Sequence, residues 1–482
     1  MVRRFLFVIG LACFSNASVA AAQAQADVRA ARVDSLFRKY DAQPSPGLAL
    51  AVIKDGRVVL RRGYGLANLE HGIRITPETI FDVASLSKQF TGLAIAMLVT
   101  EGRVKLSDDV RKYIPELPLL PQPITIEHLV HHTSGVRDWP GALSIGGWRY
   151  DDVITFQQTL GVAYRAQSLN FQPGAEHLYS NTGYNLLAEV VTRVTGQSLA
   201  QWTQAQLFGP LGMTRSHFRT DFREVIANRA SGYAQGRDGA WRTITDNLSA
   251  PGSSSLFSTA DDLARWLINY GSLAVGGSAA HQLMRTPGRL NDGSVVPYAF
   301  GILTGSYRGM PMITHSGAWA SFATYTVYMP EQRLGIAVLA NSDAIDAQRG
   351  VIDIANIYLD TATSHSSPNA SPAEPAAASP DTAQRPNTPA PTKLTALAEF
   401  VAGYESTELG TTYDVTMRGD TLALVHTRLG RIPLTRITQD AFTSETWFLR
   451  SIRFDRDPSG SIVGFVVNGD ARNRDIRFAR RR

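Results

Sequence analysis

Ser85-Leu86-Ser87-Lys88 opens an apolar run, Phe90, Leu93, Ala94, Ile95, Met97, Leu98 and Val99, that stops at Gly102. These positions cover most of a helical circumference, so a buried helix is expected to begin near Ser85. On that helix a serine and a lysine three residues apart lie on one face, one turn apart. The spacing sets an amine beside a hydroxyl, where it can help remove the hydroxyl proton. Lys88 is the only lysine of the chain with a serine three residues before it. Two further polar triplets follow at large separations, Tyr179-Ser180-Asn181 and His315-Ser316-Gly317. Taken singly, they read as a helix cap, a core aromatic with a cap, and a surface turn. Together they read as an active site assembled from distant segments.

Each element has a chemical reading. The unpaired N–H groups at a helix start favour negative charge on Ser85 and on a developing oxyanion. Burial and a cationic neighbour would hold Lys88 partly neutral, as a base requires. A phenol beside an ammonium loses its proton more readily, so Tyr179 can take the serine proton and pass it to a leaving group. Asn181 offers a donor and an acceptor, for Lys88 and for a substrate amide. Gly317, expected just before a strand, lets a substrate backbone lie close to the strand edge. The N–H groups of Ala318 and Ser85 are expected to form an oxyanion hole, and His315 with Ser316 to meet a substrate carboxylate or carbonyl.

The 482 residues are too many for one small core, so two or three units are expected. Apolar content of 44% and charged content of 18% are ordinary for a globular protein. A net charge of +5 is too small and dispersed to argue for nucleic acid. Arg480-Arg481-Arg482 reads as a solvated end. Residues 1–22 look like a secretory signal: Arg3 and Arg4, the apolar run Phe5 to Phe14, then small residues at Ser18-Val19-Ala20 and Ala20-Ala21-Ala22. The run is too short to span a bilayer, so no transmembrane anchor is expected and the protein is placed in the periplasm or outside the cell. The single cysteine, Cys13, lies inside this segment, which leaves the mature chain without disulfides or thiolates. The alternative is that Cys13 becomes a lipid-bearing N-terminus.

Residues 363–393, rich in Pro, Ala and Ser, read as a linker between a large unit (25–362) and a small one (394–482). The large unit begins with a hairpin, Gly47 to Ile53 and Val58 to Leu60, around Asp55-Gly56. Its middle is mainly helical. Ser258-Thr259-Ala260-Asp261 has the pattern of a capping box opening a helix from Asp262 to Tyr270. Strand patterns return at Phe322–Met329 and Leu334–Leu339. This is an α+β unit whose sheet pairs its first and last segments. The small unit shows about eight short alternating runs, as in a small antiparallel barrel or sandwich, with Arg418-Gly419-Asp420 as a hairpin turn.

The three elements resemble those of the penicillin-recognising serine hydrolases, in the class C β-lactamase-like branch with its D-aminopeptidases, D,D-peptidases and esterases. Phe81 through Phe90, Glu101-Gly102-Arg103-Val104-Lys105-Leu106, His131 through Val136, and Pro251-Gly252 through Leu263 resemble that family's signatures. The resemblance implies an antiparallel sheet flanked by helices, a helical lobe and a cleft between them. It implies a serine acyl-enzyme, with Ser85, Lys88 and Tyr179 catalytic and Asn181, His315, Ser316, Gly317 and Ala318 against the substrate. The small unit is similar to the lipocalin-like domains attached to some peptidases of the branch. One departure stands out. The β-lactamases of the branch carry Lys-Thr-Gly where this chain has His315-Ser316-Gly317, and an imidazole is a weaker carboxylate anchor than an ammonium. A peptidase or amidase of D-amino-acid-type substrates is therefore expected, ahead of an esterase or β-lactamase. A penicillin- or peptidoglycan-binding protein without turnover is the alternative from another class. The expected partner is a small molecule or short peptide, peptidoglycan fragments included, with no cofactor. His128, His131 and His132 suggest a metal, but the chemistry needs none, so no metal site is expected there.

Overall fold

A computed structural model describes residues 25–359 and 396–481. The expected signal (1–22) and the linker (363–393) lie outside the described residues.

The large unit is built on a six-stranded antiparallel sheet. Its strands are β1 (Leu48–Lys54), β2 (Arg57–Tyr64), β3 (Leu303–Tyr307), β4 (Met310–Trp319), β5 (Phe322–Met329) and β6 (Leu334–Ala340), in the spatial order β3-β4-β5-β6-β1-β2. First and last segments pair as expected, with Leu48 opposite Ala340 and Lys54 opposite Leu334. The β1–β2 turn has Asp55 and Gly56 both at positive φ, 53° and 75°, the backbone a two-residue hairpin requires. β1 and β6 are buried on both faces, because helices cover each side. On one face lie α1 (residues 25–37) and a late helix, Ala347–Leu359, packed through Phe37, Val351 and Ile354. On the other lie α2 (Ser87–Thr100) and the helical lobe, α3 (Ile126–Val130), α4 (Trp139–Ile145), α5 (Phe156–Tyr164) and α6 (Asn181–Thr195).

Two local expectations are corrected. The helix expected from Asp262 runs Ala260–Ser272, and its cap is Thr259, whose hydroxyl accepts from Asp262 N at 3.0 Å. Ser258 instead ends a short strand. The triplet His315-Ser316-Gly317 does not precede a strand but lies inside β4. Pro311 and Gly317 are poor strand formers and hide the pattern, and pairing with β5 imposes it.

The small unit is a nearly closed antiparallel sheet of nine strands. They are β7 (Ala402–Ser406), β8 (Thr411–Arg418), β9 (Thr421–His426), β10 (Gly430–Pro433), β11 (Thr435–Arg436), β12 (Ala441–Thr443), β13 (Ser451–Arg456), β14 (Ile462–Asn468) and β15 (Ile476–Arg480). Its two end strands, β10 and β11, are joined by Leu434 alone, which nearly closes the barrel. The barrel interior holds Phe400, Tyr404, Phe454, Phe465 and Phe478, and one side chain from the large unit, Ile145 at the end of α4. Tyr413 Oη donates to Ile145 O at 2.9 Å, and a buried ion pair joins Arg137 to Glu408. The units are thus docked through the segment that leads into and out of α4. Among the described residues no helix is long and apolar enough to cross a membrane.

Candidate active site

Ser85 sits in a single 3-10 turn, Ala84–Leu86, that feeds into α2. Ala84 is held at φ 48°, a conformation that costs a non-glycine residue about 1–3 kcal/mol and persists only when its surroundings fix it. Here Asp82 Oδ1 accepts from Ala84 N at 2.7 Å, and Ser87 Oγ donates to Ala84 O at 2.6 Å. The turn leaves Ser85 half-buried at the cleft while Lys88, one turn on, is fully buried.

Lys88 Nζ donates to Ser85 Oγ at 3.1 Å, to Asn181 Oδ1 at 2.8 Å and to the carbonyl of Ser253 at 2.7 Å. An ammonium has three N–H donors, and these contacts match them. Nζ also lies 4.7 Å from the centre of the Tyr179 ring. Asn181 is the first residue of α6, and the cap is Ser180, which accepts from Gly183 N. Asn181 is oriented by Asp138: its N donates to Oδ1 at 2.7 Å and its Nδ2 to Oδ2 at 3.1 Å. With Nδ2 so committed, Oδ1 faces Lys88. Asp138 is buried, which raises its carboxyl above the usual range, and the Arg472 guanidinium opposes that rise.

Arg472 comes from the barrel. Its Nη1 lies 3.4 Å from Asp138 Oδ2, and its guanidinium is 5.0 Å from the centre of the Tyr179 ring. The loop carrying it, Gly469–Asp475, is tied to the lobe. Asp138 N and Asn170 Nδ2 donate to Arg472 O, Arg474 N donates to Asn170 Oδ1, and Arg474 pairs with Glu176 at 3.0 Å.

The third element closes the cleft. β3 pairs with β4 only from Met310 to Thr314, which leaves the His315–Trp319 edge without a strand on that side. That edge faces the Ser85 turn: a Cβ on Gly317 would lie 2.3 Å from Val83 O and 3.1 Å from Ser85 N. Only glycine permits the approach. It brings Gly317-Ala318 beside Ser85, with Ala318 exposed, as a two-amide cradle needs. His315 is placed differently from the expectation of a direct substrate contact. It is 1% exposed, its Nδ1 donates to Ser316 O at 2.6 Å, and its Nε2 accepts from Tyr298 Oη at 2.9 Å. The imidazole is thus a buried member of a cluster with Tyr298, His132 and Tyr179.

His128, His131 and His132 serve the packing of the lobe. His128 Nδ1 accepts from Thr125 N in the cap of α3, His131 Nδ1 bonds Tyr298 O at 2.9 Å, and His132 Nδ1 accepts from Ser180 N at 3.1 Å. Burial keeps His132 neutral, well below the ordinary imidazole range. No cluster suited to a metal occurs among the described residues. Sequence reasoning missed Asp138, Ser253, Tyr298 and Arg472. Asp138 follows the His131–Val136 segment closely enough to have been noticed. Ser253 lies within the Pro251–Leu263 segment singled out in the sequence, whereas Tyr298 and Arg472 come to the site only by tertiary docking.

An α+β unit with a serine, lysine and tyrosine gathered at the foot of one helix and the free edge of a strand defines the class: a penicillin-recognising serine hydrolase fold. The chain belongs to the Beta-lactamase family, whose model matches residues 33–357. It is 28% identical over 316 residues to a D-aminopeptidase of Gluconobacter oxydans (strain 621H), covering 65% of this chain and 59% of that protein. It is 32% identical over 328 residues to protein flp of Staphylococcus aureus (strain MW2), covering 64% and 62%. The chain thus spans about three fifths of the length of these curated relatives. Among solved structures, the octameric penicillin-binding protein homologue from Pyrococcus abyssi aligns with a TM-score of 0.61 at 24% identity, over 93% of this chain and 99% of that one. The D-amino acid amidase of Ochrobactrum anthropi SV3 aligns at 0.56 and 20%, over 68% and 97%. At these identities the structures speak to the fold.

Proposed function

We propose that this chain is an exported serine hydrolase that opens an amide or ester bond through an acyl-enzyme on Ser85, with small D-amino-acid amides or peptides as its substrates. The observation that carries the reading is the 3.1 Å contact between Lys88 Nζ and Ser85 Oγ, inside a buried set of partners that fixes both. Ser85 Oγ attacks the carbonyl carbon as its proton passes into the Lys88–Tyr179 pair. The carbonyl oxygen becomes an oxyanion held by the N–H groups of Ser85 and Ala318. The tetrahedral adduct expels the amine or alcohol, which takes the relayed proton, and water then releases the acyl group by the same route. Asn181 holds Lys88 and a substrate amide, Gly317 lets the substrate lie along the free edge of β4, and Ser316 lines its start with His315 buried behind it.

The subtype rests on the absence of a lysine at position 315 and on the D-aminopeptidase relative. Export rests on the sequence of residues 1–22. Hydrolysis of D-alanine p-nitroanilide, nitrocefin and p-nitrophenyl butyrate, compared side by side with Ser85→Ala as the blank, tests the reading. Fastest Ser85-dependent release from the anilide supports it. A lead for nitrocefin or the ester removes the subtype and leaves the acyl-enzyme. A phosphonate probe that leaves Ser85 unlabelled turns the reading toward a binding protein without turnover.

A further inference from the structure

Beyond the catalytic cluster, a cavity of about 860 Å³ opens at the far end of β4. Ala318, Trp319, Trp148 and Tyr150 of the large unit line it together with Trp447 and Phe448 of the barrel. Tyr150 is 49% exposed, although it stacks on Trp447 (6.0 Å, 11°) and meets Trp319 edge-on (5.5 Å, 72°). Half-open aromatic walls held at fixed angles are unusual on a surface with no apolar ligand to meet.

The Trp319 side is built with care. The β4–β5 turn is the two-residue turn Ala320-Ser321, with φ of 47° and 64°. That turn normally takes glycine or asparagine, so its strain is maintained by the surroundings. It sets Trp319 opposite Phe322. Trp319 Nε1 donates to Asp246 at 3.1 Å, and Asp246 is paired at 2.8 Å with Arg219, whose side chain is fully buried. Trp139 braces the indole from beneath at 5.7 Å. None of these groups is used in the acyl-transfer chemistry.

Direction along β4 says which part of a substrate arrives here. Tyr179, which returns the proton to the leaving group, lies near His315, with ring centres 6.4 Å apart. The leaving group therefore occupies the His315 end of the edge. The acyl group, its carbonyl at Ala318, extends the other way. Trp319 is the next residue, about 3.3 Å further along the strand.

We propose that this cavity is the acyl-side specificity pocket, and that it takes an aromatic side chain carried on the acyl group, packed against the aromatic side chains that line it where the two units meet. The inference rests on the acyl-enzyme reading above. Two pairs of substrates test it, with each rate divided by the uncatalysed one: p-nitrophenyl phenylacetate against the acetate, and D-phenylalanine p-nitroanilide against the D-alanine compound. Wild-type protein favours the aromatic member of a pair it turns over by tenfold or more in kcat/KM. Trp447→Ala and Tyr150→Ala each reduce that preference about tenfold, mainly through KM, and leave the small acyl donor unchanged, which also reports a folded protein. Equal use of both members by wild-type protein overturns the pocket while the acyl-enzyme stands. So does a variant that slows both members alike. If mass spectrometry finds no acyl group on Ser85 with either ester, the proposed function falls and the pocket with it.

Discussion

Removing Arg472 should change the pH dependence of catalysis more than its ceiling. Asp138 orients Asn181 only as a carboxylate, because both oxygens accept from that residue. Its burial favours the neutral acid, and the nearby guanidinium is the largest influence against it. Two unit charges at the observed 3.4 Å attract by about 5 kcal/mol at an effective dielectric near 20. Arg472 is 26% exposed and touches one oxygen without forking, so a net effect of about 1–2 kcal/mol is reasonable. Without Arg472 the Asp138 carboxyl moves further up. A larger share of the protein then carries a protonated Asp138 at any pH on the acid side, Asn181 Oδ1 is no longer fixed on Lys88, and the rate falls.

The assay is kcat/KM from pH 5 to 9 with the best Ser85-dependent substrate, since its acid limb reports groups of the free protein. Arg472→Ala is expected to move that limb to higher pH and lose about tenfold at the acid end, with little loss at the alkaline end, a tenfold change corresponding to about 1.4 kcal/mol. Arg472→Lys restores most of the profile. Arg474→Ala, in the same loop but paired outward with Glu176, leaves it in place. A loss that is uniform across pH, or a limb that Arg474→Ala moves equally, would refute the reasoning.

Three other substitutions follow from the packing. Gly317→Ala places a methyl 2.3 Å from Val83 O and 2.5 Å from Thr324 Oγ1; β4 must retreat from Ser85, and acylation measured by stopped flow should slow by about a hundredfold. An unaltered acylation rate would mean that the strand edge does not shape the site. Burial raises the Asp82 carboxyl to about 8. The folded state therefore binds this proton more tightly than the unfolded chain, and stability is lost as pH rises from about 4 toward 8. Asp82→Asn, which keeps an oxygen for Ala84 N, should raise Tm more at pH 8 than at pH 5. An equal gain at both would count against the shift. Glu408→Gln leaves Arg137, 1% exposed, without its buried carboxylate. A cost of about 3–5 kcal/mol is expected in calorimetry, and an unchanged unfolding profile would show that the pair does not hold the barrel.

The pairing of Lys88 with Ser85 was legible in the sequence because their relation is local. Three residues on a helix fix a distance whatever the rest of the chain does. The six-stranded sheet was partly legible for a similar reason: its first hairpin and the strands Phe322–Met329 and Leu334–Ala340 carry strong patterns and short connections. β4 was not. Its middle residues are a buried histidine, a serine and a glycine, chosen for the cleft rather than for strand propensity. His315 shows where reading residue types alone stops. An imidazole at that position suggested a substrate contact, whereas Tyr298 and Ser316 already engage both ring nitrogens. Asp138 and Arg472 act through contacts between segments more than three hundred residues apart, and no pattern in either segment announces the other.

The barrel's part in the site follows from what it supplies rather than from its being attached. A unit joined by a linker and serving only as a spacer would meet its neighbour through an exposed, weakly packed surface. Here Ile145 of α4 lies in the barrel's own core, and Arg137 is paired with Glu408 out of water. From that fixed base the barrel sends Arg472 toward Asp138 and Tyr179, and Trp447 into the aromatic cavity beside Ala318. On the proposed function, one contribution bears on the protonation of the relay and the other on the shape of the acyl group. Docking therefore has to be tight for a chemical reason. A guanidinium displaced by a few ångströms no longer offsets the burial of Asp138, and an indole so displaced no longer closes the cavity. A variant that loosens the barrel without touching the cleft, such as Glu408→Gln, should accordingly carry both signatures at once: an acid limb moved to higher pH and a reduced preference for aromatic acyl groups. If one signature occurs without the other, Arg472 and Trp447 do not move as one body.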